Sequence, residues 1–172
     1  MKKVLLLIAS EGYQPIEYGE PKRILETAGY DVVTVSDKSG VALAAYDGSS
    51  VSVDLTLDEV NVESGDALYL IGGEGALGHL DNEKTYNLLR AWQESGKPYG
   101  AICISPRILA HAGVLKNKKA TGWDGDNELA GIFEESGVEY VRDKVVVDGN
   151  VITGNGPEAV EEFGEAIVDV LK

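Results

Sequence analysis

Apolar runs of strand length, separated by stretches long enough for a helix, constrain this chain more than any other feature. Lys3 to Ala9 is almost wholly apolar, and Asp31 to Val35, Ala67 to Ile71 and the residues just before Cys103 repeat the pattern. A strand apolar on both faces must be covered on both faces, which is the signature of a parallel sheet between helices. The intervening segments fit: a helix entered at Pro21 and closed by Ala28-Gly29, and another from about Asp81 to Ser95 carrying Tyr86, Leu88, Leu89 and Trp92. Val138 to Val141 and Val145 to Val147 flank Arg142-Asp143-Lys144, and Asp148-Gly149-Asn150 joins the latter to Val151-Ile152-Thr153 in hairpin fashion. A last helix runs from Pro157 to Leu171. The expected fold is α/β, a doubly wound and mainly parallel sheet sandwiched by helices.

At 172 residues, with no linker, repeat or low-complexity tract, the chain reads as one domain over 1–172. Its formal charge of −14 excludes nucleic acid and anionic membrane as partners, since both require a positive face. The run Val4 to Ala9 stops at Ser10, too short for a membrane span and badly flanked for a signal peptide, so the expectation is cytoplasmic. One cysteine and two histidines leave no plausible zinc cluster, and neither a metal nor another cofactor is expected.

In a doubly wound sheet the crevice lies beyond the carboxyl ends of the strands. Three segments reach it: Ser10 to Tyr18, Gly72-Gly73-Glu74-Gly75, and Cys103-Ile104-Ser105. Cys103 stands where the strand ending at Ile102 turns into a helix whose first residue would be Pro106. A thiol on such an elbow faces free backbone N–H groups, which lower its pKa and can hold an oxyanion. The N–H groups of Gly73 and Ile104 could form that two-donor hole. The plainer reading of a lone cysteine is a small buried hydrophobe, and residues alone leave both open. Ser105 reads as the helix N-cap, His111 as structural, and His79 as a residue on the crevice rim.

Taken together, Glu17, Asp66 to Gly73, Ala101-Ile102-Cys103 with Pro106, Ala112 to Lys116 with Lys119 to Thr121, and Val145 to Asn150 with Ile152-Thr153 and Gly156-Pro157 resemble the DJ-1/PfpI superfamily, in collinear order over essentially the whole chain. The resemblance implies a flavodoxin-like sandwich, a cysteine nucleophile on the elbow, a glutamic acid hydrogen-bonded to its sulfur, and assembly into homodimers or higher homo-oligomers. Cys103 matches the cysteine and Glu17 the glutamate. Without the resemblance Glu17 reads as one more exposed loop carboxylate. With it, a carboxyl desolvated beside a thiolate has its pKa raised, keeps its proton and serves as acid or base.

The departures bear on function. Where PfpI-like peptidases have a histidine after the cysteine, this chain has Ile104, and the acidic position those peptidases offer after the double glycine is matched by Leu77, with Glu74 close by. The cysteine peptidase reading loses both supports. Where related glyoxalases and deglycases carry a histidine or tyrosine over the pocket, Trp123 and Asp124 follow the Lys-x-x-Thr segment ending at Thr121. Trp123 is either an apolar lid with one N–H donor or interface filler, and Asp124 a second acid/base group. The expected pocket is lined by Gly72, Glu74, Trp123, Asp124, Tyr18 and His79. Two functions remain: a cofactor-free enzyme of glyoxalase III or deglycase type acting on small reactive carbonyls, and a redox-sensing or chaperone-like stress protein working through Cys103 oxidation.

Overall fold

The computed structural model describes residues 1–172. The first half of the chain lays down β1 (Lys3–Ile8), β2 (Glu11–Tyr13), α1 (Pro15–Thr27), β3 (Asp31–Ser36), β4 (Val41–Ala44), β5 (Ser50–Ser52), β6 (Leu55–Thr56) and β7 (Ala67–Leu70). The second half adds α2 (Ala76–Leu80), α3 (Glu83–Ser95), β8 (Tyr99–Ile102), α4 (Pro106–Ala112), β9 (Lys119–Ala120), α5 (Leu129–Glu135), β10 (Glu139–Tyr140), β11 (Val145–Asp148), β12 (Val151–Gly154) and α6 (Val160–Leu171).

Seven strands form the central sheet in the order β11-β12-β8-β7-β1-β3-β6, parallel throughout except for the β11–β12 hairpin at one edge. Strand alternation sends Leu5 and Leu7 of β1 to one face, where they pack with Leu88, Leu89 and Trp92 of α3 and Ile108 and Leu109 of α4. Val4, Leu6 and Ile8 point the other way, against Tyr18 and Leu25 of α1 and Phe163 and Ile167 of α6. The two faces are separately packed cores, as an α/β sandwich requires.

Two local expectations are corrected, and a third segment, on which the sequence was silent, is filled in. First, α1 begins at Pro15, capped by the Gln14 side chain, which accepts from the Ile16 N–H at 3.1 Å, and Pro21 lies inside the helix. Both prolines suit a first turn, but Pro15 takes it; Pro21, lacking an N–H, simply leaves the Glu17 carbonyl without its helical donor. Glu17 is therefore in a first helical turn and not in a loop. Second, Glu139–Tyr140 does not join Val145–Val147 but pairs in parallel with Lys119–Ala120. Third, the stretch between β3 and β7, silent in the sequence, contributes a small sheet in which β4 lies between β2 and β5. Its β4–β5 turn sits at the carboxyl edge of the central sheet's site.

Candidate active site

The elbow is as sharp as expected. Cys103 has φ of 63°, in the left-handed region that non-glycine residues rarely enter, and the bonds around it hold it there: its N–H donates to the Gly154 carbonyl at 2.9 Å and its carbonyl accepts from Trp123 at 2.6 Å. Ser105 stands at the N-cap position of α4 but caps nothing, because its buried hydroxyl donates to the Ile71 carbonyl at 2.7 Å. That bond ties the elbow to the end of β7.

Glu17 comes to the sulfur from α1 and is wholly buried. Its Oε1 accepts the Gly72 N–H at 3.0 Å, while Oε2 has no hydrogen-bond partner at all. Burial pushes this carboxyl up to about 7, opposed by its interaction with Cys103 and by the Gly72 N–H. The thiol moves the same way. Burial, then the Glu17 charge, push Cys103 up, while the Ile104 N–H and the Arg107 guanidinium pull it down and are outweighed. This corrects the expectation of a thiol acidified by the elbow: in this dry site burial and the neighbouring carboxyl outweigh the helix-end N–H.

Gly72 and Gly73 are glycines for steric reasons. A methyl group on Gly72 would stand 2.5 Å from Glu17 Oε1 and 2.6 Å from Cys103 Cβ, and one on Gly73, whose φ is 121°, would stand 2.2 Å from the Gly12 carbonyl. Neither the Gly73 N–H nor the Ile104 N–H donates to a backbone carbonyl, and both residues line the cleft with Cys103. Two donors thus stand beside the nucleophile.

The cleft over Cys103 has a volume of about 360 Å³ and is lined by Gln14, Tyr46, Gly73, Glu74, Cys103, Ile104, Trp123 and Pro157. Of the expected lining residues Glu74 and Trp123 are here, and Gly72 backs the Glu17–Cys103 pair from behind. The other three are elsewhere. Tyr18 is in the core, its hydroxyl 2.6 Å from Thr34 Oγ1, because the helix that turns Glu17 to the sulfur turns its neighbour under the sheet. Asp124 accepts from the Leu129 N–H at 3.0 Å and from Arg142 at 3.3 Å, so its oxygens organise the turn into α5. His79 faces away, its Nδ1 3.0 Å from Asp37 and 3.4 Å from Ser10 Oγ, and His111 pairs with Asp81 at 3.0 Å. Neither histidine lines the cleft.

Sequence reasoning missed Tyr46, Pro157 and Arg107, and placed Gln14 at the crevice only as part of the segment Ser10 to Tyr18. The first sits on the β4–β5 turn, where Asp47-Gly48 was the available turn signal. Arg107 is a buried cation of α4 that binds Asp126 at 2.7 and 2.9 Å, donates to the Trp123 carbonyl at 3.1 Å and lies 5.5 Å from the Trp123 ring centre, holding that ring over the cleft. No three histidine, cysteine or acidic side chains gather as a metal would need. No helix is long and apolar enough to cross a membrane.

A flavodoxin-like α/β sandwich with a strained cysteine on a strand-to-helix elbow, a buried carboxyl beside it and free amides around it defines a class of cysteine-centred proteins. The chain belongs to the DJ-1/PfpI family, whose model matches residues 2–170. It is 37% identical to the deglycase PfpI of Pyrococcus furiosus over 170 residues, 99% of each chain. Among solved structures it is similar to a ThiJ/PfpI domain protein from Brachyspira murdochii (TM-score 0.92, 29% identity, 98% of this chain and 95% of the other) and to DJ-1beta of Drosophila melanogaster (TM-score 0.84, 27% identity, 98% and 89%).

Proposed function

We propose that this protein is a cofactor-free enzyme acting on reactive carbonyls, of glyoxalase III or deglycase type, with Cys103 as nucleophile and Glu17 as proton shuttle. The observation that carries the reading is the isolated, desolvated Glu17–Cys103 pair beside the Gly73 and Ile104 amides. The relatives named deglycase support it.

The chemistry balances within the site. With methylglyoxal, the Cys103 sulfur adds to the aldehyde carbon as Glu17 takes the thiol proton, and the oxyanion that forms is held by the two amides. Glu17 returns that proton to the oxyanion, giving a neutral hemithioacetal. The carboxylate, ionised again, removes the hydrogen from the former aldehyde carbon and delivers it to the neighbouring carbon through an enediol. The first carbon is oxidised to a thioester while the second is reduced to an alcohol, so no external redox partner is needed. Water cleaves the thioester to lactate and frees the thiol. For a glycated amine, expulsion of the amine regenerates the aldehyde first, and overall the adduct plus water gives lactate, amine and a proton. Such a task suits the cytoplasm, where reactive carbonyls arise.

A second reading has its own observation: with Glu17 protonated, the unpartnered Oε2 can carry the proton and donate, and together with the Ile104 N–H it would stabilise a Cys103 sulfinate, formed with two equivalents of peroxide reduced to water. The same experiment separates the two. Lactate formation from methylglyoxal by the wild type and its loss in Cys103→Ala supports the enzyme; a stoichiometric gain of two oxygens by intact mass on peroxide treatment, with no turnover, supports the sensor. We extend the proposal to a homodimer or higher homo-oligomer, in which a second copy covers the exposed Val41, Leu43 and Ile16 side chains.

A further inference from the structure

Only two charged side chains of this protein are buried, Glu17 and Arg107, and both act on the same sulfur. Glu17 moves protons in the proposed chemistry; Arg107, which props the Trp123 ring, has no part in it. Arg107 stands in the first turn of α4, four residues after Cys103. Its Nη2 donates to the Trp123 carbonyl at 3.1 Å, and the Trp123 N–H donates to the Cys103 carbonyl at 2.6 Å, so the backbone of one residue separates the guanidinium from the strained elbow. The ion pair it forms is lopsided. The Arg107 side chain is 4% exposed, whereas Asp126 at 2.7 Å and Glu128 at 3.8 Å are 34% and 70% exposed. Water screens the two carboxylates and not the cation, so the interior feels a net positive charge. The buried Nε–H finds no acceptor that would offset it. Its pull reaches Cys103 and Tyr140 of β10, both of which burial raises, and leaves Glu17 untouched. Around the sulfur the other charged groups are Glu17 of α1 and Glu74 of the cleft wall, and no cation lines the cleft.

We propose that Arg107 is the residue that positions charge at the elbow: a fixed interior cation that favours the Cys103 thiolate in a chain where Ile104 leaves no histidine beside the sulfur, with Asp126 setting how much of that charge the sulfur feels. The inference concerns the thiol itself and holds whether the site acts on carbonyls or takes up oxygen. Arg107 is not the base. A guanidinium keeps its proton throughout the range in which a thiol titrates, so the thiol proton goes to an ionised Glu17 or to water, and Arg107 acts only through its field. Desolvating a cation is costly, and holding an indole ring needs bulk and a donor, not a net charge in the interior. A unit charge acting across a side chain or two at the effective dielectric of a protein changes an ionisation constant by roughly tenfold, and the screened opposition of Asp126 brings the expected effect to about fivefold.

The test is the rate of Cys103 alkylation at fixed neutral pH, where the rate counts the thiolate fraction, with two uncharged reagents of different bulk, iodoacetamide and N-ethylmaleimide. No substrate takes part, so the outcome is independent of the carbonyl reading. A change in charge alters both rates by one factor, whereas a change in access favours the bulkier reagent. Arg107→Met is expected to slow both reagents about fivefold and Arg107→Lys to keep most of the wild-type rate, while Asp126→Asn, which leaves the bond to Trp123 in place, should speed both about threefold. Opposite signs from the two halves of one ion pair are what a charge role requires; a purely structural pair would move both variants the same way. Rates that change in the same direction in Arg107→Met and Asp126→Asn, or an Arg107→Met that alkylates like the wild type with both reagents, overturn the proposal. If Arg107→Met fails to fold, or gains rate chiefly with N-ethylmaleimide because the ring has come loose, Asp126→Asn decides alone: faster alkylation by both reagents upholds the proposal, and unchanged or slower alkylation overturns it.

Discussion

Gly72 donates its N–H to Glu17 Oε1 at 3.0 Å, and it is also the residue whose missing side chain leaves room for that carboxyl beside Cys103. The close approach of two groups that cannot both be charged is therefore built on one glycine at the end of β7. Gly72→Ala is expected to push Glu17 away from the sulfur, lowering stability by about 1–3 kcal/mol through overpacking. Thermal melts together with the pH profile of Cys103 alkylation check this; a variant with wild-type melting and a wild-type profile would mean that the contact has no such role.

Stability should respond to pH through Glu17, and the sign follows from its raised pKa. Between 4.5 and about 7 the unfolded chain loses the Glu17 proton while the folded chain keeps it, so stability present below 4.5 is lost progressively and the loss is complete above about 7. A rise from 4.5 to about 7 corresponds to a cost on the order of 3 kcal/mol at pH 8. Glu17→Gln removes the charge and keeps the shape. It should melt higher than the wild type at pH 8, by several degrees, with the gap closing by pH 4.5. Equal gaps at both pH values would show that burial of the carboxylate is not what costs.

The parts of this architecture that were legible in the sequence are those written locally. The two-sided apolarity of β1, β7 and β8 announces a covered parallel sheet, and a single cysteine between an apolar strand and Pro106 announces an elbow. Glu17 was legible only through family resemblance, because the reason it matters is a contact with Gly72 and Cys103, which are far off in sequence. The thiol's pKa direction was misjudged for the same reason: helix-end N–H groups are visible in a sequence, whereas the desolvation that outweighs them depends on the whole fold. Tyr46 was missed because β4 and β5 are short, half-exposed strands with little pattern, and because an aromatic at positive φ is not what an Asp-Gly turn leads one to expect. His79 and Tyr18 were placed near the right edge, but neither lines the cleft, since position along a chain does not say which way a helix turns its side chains.

Arg107 acts on the cleft through Trp123 and is a positioning residue. Arg107→Met should cost about 1–3 kcal/mol, a moderate figure because Asp126 is partly solvated and needs no partner to stay charged. It should also free the Trp123 ring, seen as greater acrylamide quenching of tryptophan fluorescence, to which the buried Trp92 contributes little. Arg107→Lys should restore part of the stability but less of the ring's order, since an ammonium cannot both fork onto Asp126 and lie flat on indole. Unchanged quenching in Arg107→Met would remove the positioning role.

Assembly gives a further expectation. Val41 and Leu43 are 56% and 50% exposed on the outward side of β4, and Ile16 is 55% exposed in the first turn of α1. Light scattering at micromolar concentration should show a dimer or larger species, and Leu43→Lys should shift it toward the monomer without lowering the melting of the isolated fold by more than about 1 kcal/mol. A monomeric wild type would sink the expectation.

The coupling of Glu17 to Cys103 is best read from alkylation rate against pH in three proteins. In the wild type the pair loses its first proton near the Glu17 value of about 7, and the remaining charge then opposes loss of the second. The expected curve has two steps: a partial rise through pH 7, to the extent that sulfur bears the charge, and a second rise far above it. Glu17→Gln removes the opposing charge and offers its amide N–H as a donor, so a single step should appear, at lower pH than the second wild-type step. Glu17→Leu also removes the charge but offers no donor and keeps the site dry, so its single step should fall at higher pH than that of Glu17→Gln. The order of the two variants isolates the hydrogen bond, and the number of steps isolates the shared proton. Three superimposable curves would make Glu17 a bystander, and with it the proton shuttle on which the proposed carbonyl chemistry depends.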